Sequence, residues 1–500
     1  MPNRTVLPLT EAKPDFEDGF TSVRLIESYT RATASLYQNS PTIAATRFNI
    51  ILVSQDRFKT QLWNFVRALR NLVRETLFHK REPPARRADI LLFHSSRKPN
   101  VQPAMDLLAT GLVNQKHTCA IISPEGLSYW TQEDKTPVSL SFIRAGAGLS
   151  ASALFYLPFL AARDFLRIYS CLQNRSPALS RIVRQKALSV TAQLLLSRMR
   201  SNTADHLLAS ISPRVLITNG DHLDFAAELL LSHHAKRMHK INFFNENPLL
   251  AFRPFLSNEI WVWNQAVAQT FEDLAEFGDR PTYSITGRAE IDFVLPAHGD
   301  STGRSVLDFV KDRKILVFLT EYDASPIWNT EAITREAVRW LTVAATNCPD
   351  WVIIYKTRPN HHGKPVPGIE FTKDVKNFLV LQEEISLGTM LAWKNTLAVT
   401  SLASTGLAVA SGIGKSAFRL WISSRQSPIP PLDDVCAAVH DPRDLIQGLR
   451  KLDEASPVAS YDSDEAFPFK SATVDRMTSL CLQRLTESLL KSKQPSQGRP

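Results

Sequence analysis

The sequence has 500 residues, 44% of them apolar and 21% charged, and a formal charge of +9; a chain this long buries more than one core, so two domains are expected. Five scattered cysteines (Cys119, Cys171, Cys348, Cys436, Cys481), odd in number and without CxxC or Cys/His ligand spacing, indicate neither a disulfide framework nor a structural zinc site. The opening residues carry no apolar signal segment, which leads us to expect a reducing, cytoplasmic setting.

Residues 1 to about 20 read as unstructured and about 21 to 82 as mostly helical. Phe58, Leu62, Phe65, Val66, Leu69, Leu72 and Val73 recur three and four apart, an amphipathic face on a basic helix that stops before Pro83-Pro84. From Arg57 to Arg87 there are nine lysines and arginines against two acids, and from Arg163 to Arg200 eight against one, so the rest of the chain is slightly acidic. Trp63, Phe65 and Phe78 accompany the first basic segment, and Phe165, Ile168 and Tyr169 the second. Such segments suit an anionic surface, of a membrane or a nucleic acid, or serve as solvated helix faces.

At Asp89 the pattern changes. ADILLFHSS reads as a buried strand, Val101 to Asn114 as a helix and HTCAIIS as the next strand, the start of a βαβ unit. His94, Ser95, Ser96, Arg97 and Lys98 follow the first strand, where such sheets take ligands. Residues 145 to 162 are uncharged and approach the roughly 18-residue minimum for a spanning helix. Glycines, serines and Pro158 dilute their hydrophobicity, so a buried or interfacial segment is expected. A strand at Val215 to Thr218 then leads into Asn219, Gly220, Asp221 and His222. Glu246 lies just past the strand in HKINFFNENP. EIWVWN and PTYSITGRAEIDF supply further strands, and Gly287 to Gly303 has the composition of a linker.

A second alternating series follows: KILVFLTEYD (strand), Thr330 to Ala345 (helix), WVIIYKTRPNHH (strand and polar loop), NFLVLQ (strand) and Ser386 to Trp393 (helix). Asn395 to Ile422 reads as strand, Ser/Thr-rich turn, small-residue helix and strand. If those strands are parallel, Ser401, Ser404 and Thr405 sit at the carboxyl edge. A helix starting near Thr405 would there offer unpaired N–H groups to a phosphate; alternatively the serines cap a core helix. VCAAVHDPRDLIQGLRKL adds a strand and helix, and about Ser471 to Lys491 an amphipathic helix.

Three segments carry a family resemblance. ITGRAEID (Ile285 to Asp292) is similar to a Thr-Gly-x-x-x-x-Asp linker segment, IYKTRPNHH (Ile354 to His362) to a Lys-x-His-Pro segment, and STGLAVASGIGK (Ser404 to Lys415) to a Ser-Thr-x-x-x-Glu-Ala-x-x-x-Gly-Lys-Pro segment. In this order they resemble the GT-B-fold glycosyltransferases, in particular bacterial surface-polysaccharide transferases, CDP-glycerol glycerophosphotransferases and UDP-N-acetylglucosamine 2-epimerases. The chain departs from that pattern where Val409 replaces the Glu that holds the donor ribose, Ser416 replaces Pro, and Arg358-Pro359 replaces His-Pro.

The resemblance implies an α/β protein of two Rossmann-like doubly wound domains. The divisions are 1–85 (unstructured start and helical extension), 86–290 (acceptor domain), 291–455 (nucleotide-donor domain) and 456–500 (C-terminal helix and tail). It implies a metal-independent transferase needing no cofactor, its donor a nucleotide-activated sugar or alditol, its acceptor a surface glycan or lipid-linked precursor. An anionic membrane surface is a further expected partner, which would hold the protein on the inner face of the membrane; nucleic acid is not. Lys356, Arg358, His361, Ser401, Ser404, Thr405 and Gly406 are the candidates for gripping the donor, and Asp221, His222 and Glu246 for the base. A nucleotide-sugar epimerase and a noncatalytic binding or assembly protein are the alternatives.

Overall fold

The computed structural model describes residues 20–37, 40–47, 57–78, 86–94, 101–123, 126–131, 135–139, 149–220, 225–244, 255–273, 281–289, 304–320, 331–357, 365–381, 385–422, 429–455 and 473–493. Short runs, mostly apolar and four of them buried along their whole length, build two sheets. The first contains β1 (Ile90–Phe93), β2 (Cys119–Ser123), β3 (Gly126–Trp130), β4 (Lys135–Ser139), β5 (Val215–Thr218), β6 (His239–Phe243), β7 (Glu259–Val262) and β8 (Thr282–Ile285), in the order β4-β3-β2-β1-β5-β6-β7-β8. It is parallel except where β3 pairs with β2 and β4. The second contains β9 (Lys314–Leu319), β10 (Trp351–Lys356), β11 (Phe378–Leu381), β12 (Thr396–Ser401), β13 (Ser416–Leu420) and β14 (Ala437–Val439), in the order β11-β10-β9-β12-β13-β14 and parallel throughout. The expected α/β class and pair of doubly wound sheets are therefore present; the β3–β4 antiparallel edge was not foreseen.

Both faces of each sheet are covered, as parallel strands require. In β1, Leu91 and Phe93 join one core and Ile90 and Leu92 the other. On the first face lie α1 (Phe20–Tyr37), α2 (Pro41–Thr46), α3 (Phe58–Phe78), α4 (Gln102–Asn114) being on the opposite face, and then α5 (Ala153–Arg175), α6 (Pro177–Gln185), α7 (Ala187–Ile211) and α8 (Ala226–Leu231). The N-terminal helices are part of this core: Tyr29, Tyr37, Ile43, Ala68 and Leu72 are buried in it. Asp164 of α5, fully buried, accepts hydrogen bonds from Thr42 Oγ1 (2.8 Å) and Arg198 Nε (2.8 Å), which ties α2 to α5 and α7. The segment at 145–162 enters α5: Ala153, Leu157 and Ala161 are buried, while Phe155 and Phe159 face outward. Residues 145–148 are outside the described residues.

In β9 the same alternation sends Ile315, Val317 and Leu319 to one face and Leu316 and Phe318 to the other. Between β7 and β8 lies α9 (Gln265–Asp273), and after β8 come α10 (Arg304–Val310), α11 (Glu331–Asn347), α12 (Leu387–Ala392), α13 (Gly406–Gly412), α14 (Pro430–Asp433) and α15 (Pro442–Ala455). The expected linker coincides with a change of sheet, although most of it, 290–303, is outside the described residues. Gly287 there takes φ +93°, and an added Cβ would lie 2.7 Å from Thr473 Oγ1.

Thr473 opens α16 (Thr473–Lys493), which returns to the first sheet. Met477, Cys481 and Leu485 complete the core around Ile90, Leu92, Val215 and Ile217.

Candidate functional site

Strand order reverses between β1 and β5 in the first sheet and between β9 and β12 in the second, the places where doubly wound sheets leave a crevice at their carboxyl edges. In the second sheet, hydroxyls close that edge. Thr357 Oγ1 donates to Leu381 O (2.9 Å), Thr320 Oγ1 to Lys356 O (3.1 Å), Ser401 Oγ to Leu319 O (2.8 Å) and Thr400 Oγ1 to Phe418 O (3.0 Å). Each bond reaches from one strand to its neighbour, so one carbonyl on each of β9, β10, β11 and β13 is satisfied and the five strands are tied together near the loop origins.

This arrangement bears on the donor-site candidates in two ways. Lys356 and the Ser401–Thr405 turn do not leave neighbouring strands: β9 lies between β10 and β12, about 10 Å across two strand spacings. The end of β9 links them, since Thr320 donates to Lys356 O and Leu319 O accepts from Ser401 Oγ. Second, most N–H groups at the start of α13 are engaged within the turn. Gly406 N–H donates to Ser404 Oγ (3.2 Å), Leu407 N–H to Ser404 O (3.1 Å) and Ala408 N–H to Thr405 O (3.1 Å). Ser401 Oγ likewise accepts from Ser404 N–H (3.3 Å), so fully buried Ser401 shapes the turn. The serines act as local turn formers, while the N-cap of α13, Thr405, makes no side-chain cap bond. Gly406 sits in close quarters: a Cβ would come 2.5 Å from Leu319 Cδ1 and 3.0 Å from Leu387 Cδ2, so those side-chain ends would have to shift.

Val409, at the family's Glu position, is buried in the apolar cluster with Leu407 and Ile413. Lys415 begins the approach to β13 from its amino end, remote from the carboxyl edge, and burial pushes its pKa down to about 8. Gly414 (φ +78°) makes the turn before it. Arg358 and His361 lie outside the described residues.

At the first sheet's edge His94 is buried, with its N–H on Ile122 O (3.0 Å). Asn219 N–H donates to Phe93 O (3.0 Å) and its Nδ2 to Phe243 O (3.3 Å). Gly220 (φ +78°) donates its N–H to Asn242 Oδ1 (2.9 Å). Sequence reasoning overlooked Asn242; its position at the end of a β run, one strand from Asn219, was the available signal. Ser95, Ser96, Arg97, Lys98, Asp221, His222 and Glu246 lie outside the described residues.

The carboxyl end of the first sheet meets the second domain where Asn264 Nδ2, just past β7, donates to Pro431 O of α14 (3.4 Å). Arg419, equally overlooked because it sits inside an apolar run, anchors α14. Its fully buried side chain donates from Nε to Leu402 O (3.1 Å), pairs with Asp433 and lies 4.3 Å from the Trp421 ring centroid. It thus joins the Ser401 turn to the helix that touches the first domain. Among the described residues there is no group of three or more His, Cys, Asp or Glu side chains placed to hold a metal.

Among solved structures, the Listeria monocytogenes protein named as a UDP-N-acetylglucosamine 2-epimerase is similar over 80% of this chain and 97% of its own, at 12% identity and a TM-score of 0.50. The chain has the GT-B fold. Two other GT-B structures are more distant: the Neisseria meningitidis UDP-GlcNAc 2-epimerase bound to UDP-GlcNAc (12% identity, 79% and 99% covered, TM-score 0.45) and the wall teichoic acid polymerase TagF (10% identity, 87% and 100% covered, TM-score 0.43). At these identities the likeness concerns the fold alone. No protein-family model and no curated sequence matches the chain.

Proposed function

We propose that this GT-B chain is a metal-independent transferase that moves a glycosyl or glycerophosphate group from a nucleotide-activated donor to a surface glycan or its lipid-linked precursor. The observation that carries the reading is the pair of switch points, at β1/β5 and β9/β12, in two domains whose carboxyl edges are joined at Asn264 and Pro431. Transfer from a nucleoside diphosphate needs positive charge on the leaving group and a base for the acceptor hydroxyl. Lys356 ends β10 at the second switch-point edge, and Arg358 and His361 follow it in sequence. Asp221 and His222 follow Gly220 at the first edge, and Glu246 follows β6. These are the residues we assign to the two tasks.

The burial of Val409 supports a second reading, a binding or assembly protein without turnover, since no carboxylate stands there for a ribose. An epimerase is the remaining enzymatic alternative on this fold. Incubation of the purified chain with labelled UDP- and CDP-linked donors and membranes separates the three: label on acceptor, altered free donor, or binding without product. For the donor site, Lys356→Ala and Arg358→Ala are each expected to weaken nucleotide binding by roughly ten- to a hundredfold, the loss of one charge-assisted contact. Ser404→Ala is expected to do less. Unchanged affinity in calorimetry for both charge variants would remove the donor site from this edge.

A further inference from the structure

We propose that the outer face of α3 and α5 is a docking surface for an anionic phospholipid membrane. The inference goes beyond the transfer reaction and stands whether or not a nucleotide binds. Both helices pack on α7 and touch each other, so two segments distant in sequence form one outer layer. Among the described residues, nine of the fifteen exposed large hydrophobic side chains are on these two helices, which marks this layer out from the rest of the surface. Phe155 is 84% exposed, Phe159 70%, Leu166 60%, Phe58 69% and Trp63 59%. Phe155, Phe159, Ala162 and Leu166 follow one another at helical spacing opposite buried Leu157, Ala161 and Ile168, so the stripe faces outward along its length.

Charge selects the occupant. Lys59, Arg67, Arg70 and Arg74 on α3 and Arg163 on α5 are exposed, whereas the acids of these helices, Glu75 and Asp164, are both buried. Every exposed side-chain charge on the layer is therefore positive, which fits a surface that is anionic outside and apolar beneath. A nucleic acid would use the cations and leave the Phe155–Leu166 stripe in water. No helix among the described residues is long and apolar enough to cross a membrane, so the contact is interfacial.

The test is flotation of the full chain with vesicles of phosphatidylcholine alone and of phosphatidylcholine and phosphatidylglycerol in equal parts. Binding to the mixed vesicles, weak binding to the neutral ones and loss in high salt are expected. Phe155→Ser with Phe159→Ser should lower partitioning roughly tenfold or more, and Arg67→Glu with Arg70→Glu should abolish the preference for anionic lipid. Both pairs are exposed, so circular dichroism and the unfolding midpoint should not change. Equal binding to both vesicles, or no binding, overturns the proposal. So does lipid-free self-association that the Phe pair abolishes, which assigns the face to a second copy, or binding to a DNA duplex that the Phe pair leaves intact and the Arg pair destroys.

Discussion

Glu259 shows how a single buried charge fastens distant parts of this chain. Its carboxylate has no solvent exposure and takes Arg484 Nε at 2.7 Å, Ser284 Oγ at 2.6 Å and Trp261 Nε1 at 3.1 Å, with His239 Nε2 at 2.9 Å. Burial alone would raise its pKa; hydrogen bonds from His239, Arg484 and Ser284 outweigh that and hold it at about 2, below the ordinary 4.5. A carboxylate depressed in the folded state stabilises fully above its unfolded pKa, and the contribution disappears as pH falls through the folded value. Glu259→Gln should thus lower the unfolding midpoint most near neutral pH. The gap to the unmodified chain should shrink between pH 4.5 and 2. A gap independent of pH would mean that shape, not charge, matters there. Gly406 is a second exacting position: Gly406→Ala drives a methyl into Leu319 and Leu387, both packed around the turn, and should cost about 1–3 kcal/mol in urea unfolding.

Among the elements, α16 is tied to β7 by the Arg484–Glu259 pair. Arg484→Ala leaves Glu259 buried with fewer partners, which His239 and Ser284 offset in part, so a loss of about 2–3 kcal/mol is expected, read as earlier proteolysis of α16. Elements like β1, β2, β9 and β10 were legible because ILLF, CAIIS, KILVFL and WVIIYK are apolar runs with no alternative to burial on both faces. GLSYW and KTPVS were not: short, mixed, and in the second case carrying Pro137, they become strands only by pairing antiparallel beside β2. The helix α7 was equally hidden. Val190, Leu194, Leu195, Met199, Leu207, Leu208 and Ile211 are buried on several sides under α3, α5 and α8, so no single apolar stripe announces it. At the candidate site, Ser401 was correctly located at a strand end, but strand order is set by packing between distant segments. No local pattern reveals that β9 separates it from Lys356.

At the scale of the whole molecule, the two domains share buried apolar side chains as well as the Asn264–Pro431 bond: Phe244, Trp263 and Val267 belong to the same cluster as Leu407 and Leu432. Residues at the rim of that seam, not at its centre, are then the ones free to respond to a ligand. Addition of a nucleotide should slow amide exchange at Thr357, Thr405, Asn219 and Gly220, while β7 and β13 stay equally protected. Protection spreading through both sheets would instead indicate a global closure.

The return of α16 to the first sheet also sets an order of events in synthesis. Ile90, Leu92 and Ile217 emerge early from a ribosome, yet the side chains that cover them, Met477, Cys481 and Leu485, arrive only after the entire second domain has been made. Until then one flank of the nascent first domain carries an unfilled apolar trough, a natural holding site for a chaperone. A stop codon after Ala455 would make that interim state permanent. The truncated product, complete in both sheets, should go to inclusion bodies, and α16 supplied as a separate peptide should return it to the soluble fraction.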